Sequence, residues 1–328
     1  MNKFKTVALE MYPEIATSGV ITRKQAHDVF ETHKHSGIKW PQSLINKENS
    51  VSRGVFNFSA NFETDSTISL IKTVVETDEE LDTRISETYE TLDTLVNSVA
   101  HNKVNSLILA GAAGLGKSYE VNKILNQINH GEYGYIFHRG YLKATHLFRL
   151  LWENKEKGQT IVIDDSDAVF SDETALNILK AALELKPSRT VAWGSEKVFL
   201  DDDGQEIPRY FQYQGNVIFL TNLPFSDMAS GNSKNAPHLA ALESRSLVLD
   251  LKIRTKREIL VKIKQTVKQG MLNDKDLSKH EQDEVVAFVE ENADKMKELS
   301  LRSVEKLAVL VSMDRTGWKK LARTVMLR

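Results

Sequence analysis

Residues 111–118, which read GAAGLGKS, constrain this chain more than any other feature, because they match the pattern G-x-x-x-x-G-K-[ST] at every required position. The glycines let backbone N–H groups curl around a polyphosphate, Lys117 can reach its β- and γ-phosphates, and the Ser118 hydroxyl can ligate Mg²⁺. The loop follows an apolar strand pattern at residues 106–110 and precedes a helical pattern at 119–129, whose positive N-terminus would face the anion. The predicted phosphate-binding residues are Gly111, Ala112, Ala113, Gly114, Leu115, Gly116, Lys117, Ser118 and Tyr119.

The amino-acid composition excludes several classes of protein. The 328 residues are 41% hydrophobic, which is enough for a main α/β domain and smaller ones. The absence of cysteine excludes disulfides and zinc–thiolate sites and favours the cytoplasm, the host's if the protein is viral. No apolar run approaches the roughly 18 residues of a membrane span, and no signal peptide is predicted. With a net charge of −2, the chain as a whole is not drawn to nucleic acid.

The charge changes sign near residue 62. Residues 1–62 carry 8 basic and 5 acidic residues, a net charge of +3, whereas residues 63–100 carry 2 basic and 10 acidic residues, a net charge of −8. This shift predicts a small N-terminal module over residues 1–62, followed by an acidic linker and an amphipathic helix over residues 63–100.

The N-terminal module has the pattern of a small α+β unit. A helix capped by Thr22 is predicted over residues 22–30, a short helix over residues 41–46, and an edge strand over residues 53–58. Helix, helix and strand in this order resemble a minimal winged-helix unit. A small docking or packing module is the alternative.

From residue 105 onward, strand patterns alternate with helical ones, which predicts a parallel sheet covered by helices on both faces. The predicted strands are Ser106–Ala110, Tyr133–Phe137, Thr160–Ile163, Val217–Leu220 and Leu247–Leu251. The patterns after Thr255 are helical only, over Lys256–Gln269, His280–Asn292, Leu301–Met313 and Thr316–Met326. The predicted fold is an α/β nucleotide-binding domain with a parallel five-stranded sheet over residues 101–254, and a helical lid over residues 255–328.

An apolar strand ends in two carboxylates at Asp164 and Asp165. A magnesium nucleotide needs an acid at the carboxyl end of a neighbouring strand, and Asp164 meets that requirement. The next residue, Asp165, is the predicted group that polarises the attacking water.

Three further motifs follow in order: NVIFLTNLP at residues 216–224, ESRS at 243–246 and SLRSV at 300–304. With the phosphate loop and the acidic strand, they resemble the AAA+ ATPases over roughly residues 101–328. The resemblance implies that Asn222 is the polar sensor of the attacking water or γ-phosphate and that Arg302 contacts the bound nucleotide. It also implies that Arg245 is a finger reaching the γ-phosphate of a neighbouring subunit.

This resemblance carries expectations about cofactors and assembly. It implies ATP and Mg²⁺ as cofactors and a homo-oligomeric ring, most simply a hexamer, because the finger needs a neighbour. The motif spacing and the compact lid are also similar to those of AAA+ proteins from bacteriophage replication and recombination regions.

The chain departs from the family pattern after the strand acid. The family usually has Glu where this chain has Asp165, and a shorter carboxylate reaches less far. Asp167 is therefore a second candidate base. Arg189 and Arg254 compete with Arg245 as the finger.

Two segments are candidates for contact with a substrate. Tyr141, in the stretch GYLK at residues 140–143, lies where AAA+ rings carry a central pore loop, although a core position is the alternative. Residues 190–214 have the pattern of a β-hairpin with an acidic turn at residues 201–204, similar to the hairpin before sensor 1 in helicases and unfoldases. The acidic turn would repel phosphate, whereas nearby basic and aromatic side chains would attract it. These side chains are Trp193, Lys197 and Arg209.

Three function classes follow. The first is an ATP-driven motor or loader acting on nucleic acid, which the basic N-terminal module favours. The second is a remodeller of protein substrates, which Tyr141 and the acidic turn favour. The third is a slow nucleotide-dependent assembly switch, which Asp165 favours.

Overall fold

The computed structural model describes residues 2–12, 15, 20–33, 50–52, 55–58, 76–128, 133–186, 189–201 and 203–328. The chain folds as two compact units, Met1–Glu76 and Thr77–Arg328. The predicted boundary at residue 62 falls within residues 59–75, outside the described part of the chain, so the four-part domain division stays a prediction.

The described residues of the first unit form a small α+β fold with an antiparallel sheet and an apolar core. Its elements are α1 (Asn2–Met11), β1 (Val20–Thr22), α2 (Arg23–His33), β2 (Ser50–Ser52) and β3 (Val55–Asn57). The Thr22 hydroxyl caps α2 by accepting a hydrogen bond from the Gln25 amide at 3.2 Å, as predicted.

The edge-strand prediction for residues 53–58 was wrong. β3 is the central strand, because the sheet order is β1-β3-β2. Alternating hydrophobicity reports which face of a strand is buried, and it does not report whether both edges are paired. The predicted helix at residues 41–46 lies outside the described residues, so the winged-helix assignment stays a prediction.

The second unit is built on a parallel five-stranded sheet, as predicted. Its strands are β4 (Ser106–Ala110), β5 (Gly134–Arg139), β6 (Gln159–Asp164), β11 (Asn216–Thr221) and β12 (Leu247–Asp250). The strand order is β12-β4-β11-β6-β5, which places β4 and β11 in the interior of the sheet. Every residue of these two strands is buried, and this explains why they are continuous apolar runs instead of alternating ones.

Helices cover both faces of this sheet. They are α3 (Asp78–Ala100), α4 (Lys117–Ile128), α5 (Ala144–Glu153), α6 (Glu173–Ala182), α7 (Phe225–Ala229) and α8 (Ala236–Glu243). Leu107 and Leu109 of β4 pack with α3 and α4, whereas Ile108 packs with the helices of the opposite face. This alternation gives the sheet one apolar core on each of its two faces.

The C-terminal lid is all-helical, as predicted, and has its own core. Its helices are α9 (Lys256–Lys268), α10 (Lys279–Asn292), α11 (Leu301–Met313) and α12 (Trp318–Met326). Trp318 is 2% exposed and packs against Phe288 with ring centroids 5.3 Å apart. No helix in the described ranges is long and apolar enough to cross a membrane.

The segment before β11 forms the predicted hairpin. β7 (Thr190–Ala192) pairs antiparallel with β10 (Tyr210–Gln212), and β8 (Phe199–Leu200) pairs antiparallel with β9 (Glu206–Ile207). At the turn, the Asp201 carboxylate accepts a hydrogen bond from the Gln205 amide at 2.8 Å, which fixes the acidic tip.

Candidate active site

The phosphate loop connects β4 to α4 and is held by the lid. Gly114 and Gly116 have φ values of 75° and 83°, in the left-handed region that favours glycine. The Leu301 amide, at the start of α11, donates a hydrogen bond to the Gly114 carbonyl at 2.9 Å. A Cβ on Gly114 would lie 2.5 Å from the Ser300 Cβ, so the glycine also permits this close approach.

Lys117 points into the loop it follows. Its ammonium group donates to the carbonyls of Gly111 and Ala112 at 2.6 and 3.0 Å and to the Asn222 side-chain oxygen at 2.8 Å. Burial lowers the pKa of Lys117, and the negative charges of Asp165 and Asp164 oppose that shift. Lys117 is thus a buried cation at the position where the sequence pattern predicts contact with a phosphate.

Ser118 and Asp164 meet at the start of α4 and the end of β6. The Ser118 hydroxyl donates to the Asp164 carboxylate at 3.0 Å, and this carboxylate is almost fully buried. A hydroxyl and a carboxylate this close supply hard oxygen ligands on one side of a site, which fits Mg²⁺. The other carboxylate oxygen of Asp164 accepts a hydrogen bond from Arg139 at 3.1 Å.

The two candidate bases have different partners. Asp165 has a left-handed φ of 51°, and its carboxylate accepts a hydrogen bond from the Asn222 amide nitrogen at 2.9 Å. Asp167 instead accepts from the Thr221 hydroxyl at 2.6 Å. Asp165 also lines the cavity beside the loop, so the geometry favours it over Asp167 as the base.

A cavity of about 570 Å³ lies between the phosphate loop and the lid. This volume is within the usual range for small-molecule sites. The phosphate-loop side contributes Lys117, Ser118 and Tyr119, and the first turn of α11 contributes Arg302. The loop after α9 also lines the cavity on the lid side, with Gly270, Met271, Asn273, Asp274 and Lys275.

Arg245 lies at the opposite edge of the sheet. The adjacent Ser246 hydroxyl donates to the Ser106 hydroxyl at 2.9 Å, at the start of β4. With a rise of about 3.3 Å per residue, this point is about 13 Å from Ala110, where the phosphate loop begins. The guanidinium of Arg245 donates to the Ala241 carbonyl at 2.7 Å and pairs with Glu184 at 3.3 Å. Arg245 therefore makes no contact with its own phosphate loop.

The competing arginines occupy other environments. Arg189 is 7% exposed, donates to the Ala182 carbonyl at 3.2 Å and lies 5.2 Å from the Tyr213 ring centroid, so it is buried in the subunit. Arg254 pairs with Asp250 at 2.8 Å, at the same sheet edge as its own phosphate loop. Of the three candidates, Arg245 is the partly exposed one that lies away from that loop.

Tyr141 is 71% exposed, so the core alternative is excluded. Tyr141 follows Gly140 in the chain. The Gly140 carbonyl accepts a hydrogen bond from the hydroxyl of Ser166, the residue after Asp165. The Lys143 ammonium lies 5.9 Å from the Tyr141 ring centroid. The loop thus presents an aromatic and a basic side chain to solvent within four residues of Arg139, which contacts Asp164.

Sequence reasoning missed three features of this region. Arg139 meets Asp164 because the two residues are register partners on adjacent strands, and the apolar pattern of a single strand contains no register. Tyr89 and Lys262 were not singled out from the sequence, although Tyr89 bonds to the Leu115 carbonyl of the loop and Lys262 lies over the Tyr89 ring. An aromatic at a helix position and a lysine in a charged helix carry no local signal for such a contact.

The chain has a parallel five-stranded sheet, a phosphate loop after the interior strand β4, two acids at the end of β6 and a helical lid. This arrangement resembles that of the AAA+ P-loop proteins.

Comparison with known proteins gives the particular family. No protein-family model matches the chain. An uncharacterized 36.7 kDa protein of the nrdC-mobD intergenic region of Enterobacteria phage T4 is 33% identical over 274 residues, which are 82% of each chain. The chain belongs to the same family as this phage protein.

Solved structures with a similar fold have low sequence identity. The RuvB Holliday junction branch migration motor of Thermotoga maritima is 13% identical, with a TM-score of 0.42 over 73% of this chain and 68% of that chain. NtrX from Brucella abortus is 13% identical, with a TM-score of 0.39 over 78% of this chain and 58% of that chain.

Proposed function

We propose that the protein hydrolyses Mg-ATP in the cavity between the phosphate loop and the lid. The observation that carries this proposal is the chain of contacts in which Asn222 joins Lys117 to Asp165 beside that cavity. A phosphate-binding cation, a polar sensor and a carboxylate base are thereby held together by residues that come after three different strands, β4, β11 and β6.

Each group has a role in this reaction. Lys117 and Arg302 bind the phosphates, while Ser118 and Asp164 would hold Mg²⁺, which neutralises charge on the phosphate oxygens. Asp165 accepts a proton from the attacking water, whose oxygen bonds to the γ-phosphorus as the bond to the β,γ-bridging oxygen breaks. Asn222 orients that water, and the products are ADP and inorganic phosphate.

We propose further that the protein works as a homo-oligomeric ring, with a hexamer as the simplest closed form. Arg245 is too far from its own phosphate loop to act in the same subunit. Its guanidinium pairs with Glu184 and is partly exposed. In a ring, it would leave Glu184 and contact the γ-phosphate of the neighbouring subunit. An arginine supplied in trans stabilises the negative charge of the transition state.

Nucleic acid is the favoured substrate class, so the proposed role is a motor or loader in nucleic-acid metabolism. The net charge of +3 on residues 1–62 supports it, since a basic module suits a polyanion. The phage relative supports a site of action in the host cytoplasm.

A protein remodeller is the second candidate, and two observations favour it. Tyr141 is 71% exposed beside the Mg²⁺ ligand strand, where it can grip a chain by packing on side chains. The hairpin turn around Asp201 and Asp203 is acidic and would repel a phosphate backbone.

Steady-state ATP turnover tests the proposal. It is measured without a polymer, with single-stranded DNA and with an unfolded protein, with Lys117→Ala as the blank. Lys123→Ala is a matched control, because this lysine is in the same helix but is 53% exposed and pairs with Glu120. Stimulation by DNA supports the motor or loader, and stimulation by unfolded protein alone supports the remodeller.

Two other outcomes decide the remaining cases. Nucleotide-dependent assembly with negligible turnover under all conditions would identify an assembly switch. Full turnover by Lys117→Ala would overturn the assignment of the site.

A further inference from the structure

Lys262 is a buried cation that the proposed reaction does not use. It lies in α9 of the lid with its side chain 2% exposed. Lysine is seldom fully buried unless it is paired, because burial without a partner is costly. The nearest carboxylate, that of Glu120, is 3.9 Å away, which is longer than a hydrogen bond.

The close partner of Lys262 is an aromatic ring. Its ammonium nitrogen lies 3.1 Å from the ring centroid of Tyr89, in α3. A desolvated ammonium over an aromatic face is attracted by the ring quadrupole, and this attraction favours one placement of the ring relative to α9. The ion pair of Arg84 with Glu258, at 2.6 Å, links the same two helices one to two turns away.

Tyr89 transmits this placement to the phosphate loop. Its hydroxyl donates a hydrogen bond to the Leu115 carbonyl at 2.7 Å. The preceding carbonyl, that of Gly114, accepts a hydrogen bond from the Leu301 amide at 2.9 Å. Two consecutive loop carbonyls are therefore fixed by groups outside the loop, one through Tyr89 and one directly from the lid.

The orientation of a backbone carbonyl also determines the orientation of the next amide N–H. In a planar trans peptide, the C=O of one residue and the N–H of the following residue point in opposite directions. With the Leu115 carbonyl turned outward to Tyr89, the Gly116 N–H points the other way, and Gly116 lines the cavity. Loop N–H groups are the donors that cradle a phosphate.

We propose that Tyr89 and Lys262 are positioning residues of the nucleotide site. Tyr89 holds the Leu115–Gly116 peptide so that its N–H faces the phosphates, and Lys262 sets the position of the Tyr89 ring from the lid. The placement of the lid is thereby coupled to the ability of the loop to bind phosphate. This inference rests on the proposed binding of ATP in the same cavity.

Two conservative variants test the inference by their dissociation constants for Mg-ATP and for adenosine. Tyr89→Phe keeps the ring and removes the hydroxyl, and Lys262→Met keeps the aliphatic stem and removes the charge. We expect each to weaken ATP binding by about tenfold, the upper end for one net hydrogen bond, and to leave adenosine binding unchanged. The double variant should lose little more than either single variant, because the two residues act in series.

Matched controls separate this role from general stability. Tyr135→Phe removes a hydroxyl that bonds to Asn126 at 2.7 Å, and Lys264→Met removes an exposed α9 lysine that pairs with Glu290 at 2.7 Å. Both should bind ATP like the wild type. Should Lys262→Met unfold, Tyr89→Phe decides the question alone.

Wild-type ATP affinity in Tyr89→Phe, or equal losses for ATP and adenosine, would overturn the inference while the proposed function stands. Failure of the wild type to bind ATP would overturn the proposed function and the inference together.

Discussion

The side chain of Asn222 bridges Lys117 and Asp165: its oxygen accepts from the ammonium at 2.8 Å, and its nitrogen donates to the carboxylate at 2.9 Å. An amide suits this position because it accepts on one side and donates on the other. The bridge separates the phosphate-binding cation from the proposed base, which would otherwise attract each other directly.

The first prediction concerns this bridge. Asn222→Ala removes one preorganised polar group from the reacting centre, which typically lowers kcat by about a hundredfold or more. ATP affinity should change by only a few-fold, since Lys117 and the loop amides remain. Single-turnover hydrolysis and equilibrium binding measure the two effects. A large loss of affinity with normal kcat would make Asn222 a binding residue.

The second prediction concerns the finger. Arg245→Ala should lower turnover by about a thousandfold or more, while ATP binding is retained. Asp164→Asn should be inactive for a different reason, since it lacks the Mg²⁺ ligand but keeps Arg245. When the two inactive variants are mixed, Asp164→Asn subunits supply the arginine to intact Arg245→Ala pockets, so activity should return in part.

Arg254→Ala is the control for the second prediction and should keep its turnover, because Arg254 pairs with Asp250 at the other sheet edge. Absence of rescue in assembled mixtures would contradict an arginine acting between subunits.

The third prediction uses two glycines with nearly equal φ values. Gly114 has φ 75° and Gly204 has φ 77°, so alanine at either position meets the same backbone strain of about 1–3 kcal/mol. The added Cβ at residue 114 would also lie 2.5 Å from Ser300, whereas at residue 204 nothing lies within 4 Å.

Gly114→Ala should therefore lose more stability than Gly204→Ala and should displace the lid from the loop. Denaturant unfolding measures the first effect, and hydrogen exchange at the Leu301 amide measures the second, because that amide is bonded to Gly114. Equal destabilisation by the two substitutions would show that the lid does not rest on the loop.

Much of the site could be predicted because its signals are local. The phosphate loop, Asp164 and Asn222 each occur in a short motif beside an apolar strand, and a strand buried on both faces is a continuous apolar run. The bounds of β4 and α11 agree with the prediction to the residue, since both are flanked by polar residues with clear capping or turn chemistry.

The contacts that could not be predicted depend on packing between elements. Arg189 was a candidate finger, yet it is buried: it donates to the Ala182 carbonyl at the end of α6 and lies 5.2 Å from the Tyr213 ring centroid. Lys262 looks like any lysine in a helix with several of them, yet it lies against Tyr89 of α3 and near Glu120 of α4. The burial of these two side chains cannot be predicted from a local sequence pattern, because it depends on partners that are distant in sequence.

The last prediction follows from the buried ammonium of Lys262. Burial lowers the pKa of Lys262 from 10.5 to about 8, with Glu120 opposing the shift and Lys123 adding to it. Between these two values, the unfolded chain binds a proton that the folded chain has released. Stability therefore rises with pH above about 8, while below that value the cost of burying the charge is present in full.

The gain in unfolding free energy should be about 2 kcal/mol from pH 8 to roughly pH 9.5, at 1.36 kcal/mol per pKa unit. The pH range ends below the ordinary tyrosine pKa of 10.0. Burial raises the pKa of Tyr89, so at higher pH the unfolded chain would lose the tyrosine proton first, and this would lower the free energy of unfolding. Denaturant unfolding at each pH gives the wild-type curve, and Lys262→Met should lack this increment. Lys264→Met, with an exposed lysine in the same helix, should follow the wild type. Parallel curves for the wild type and Lys262→Met would mean that Lys262 keeps its ordinary pKa in the folded protein.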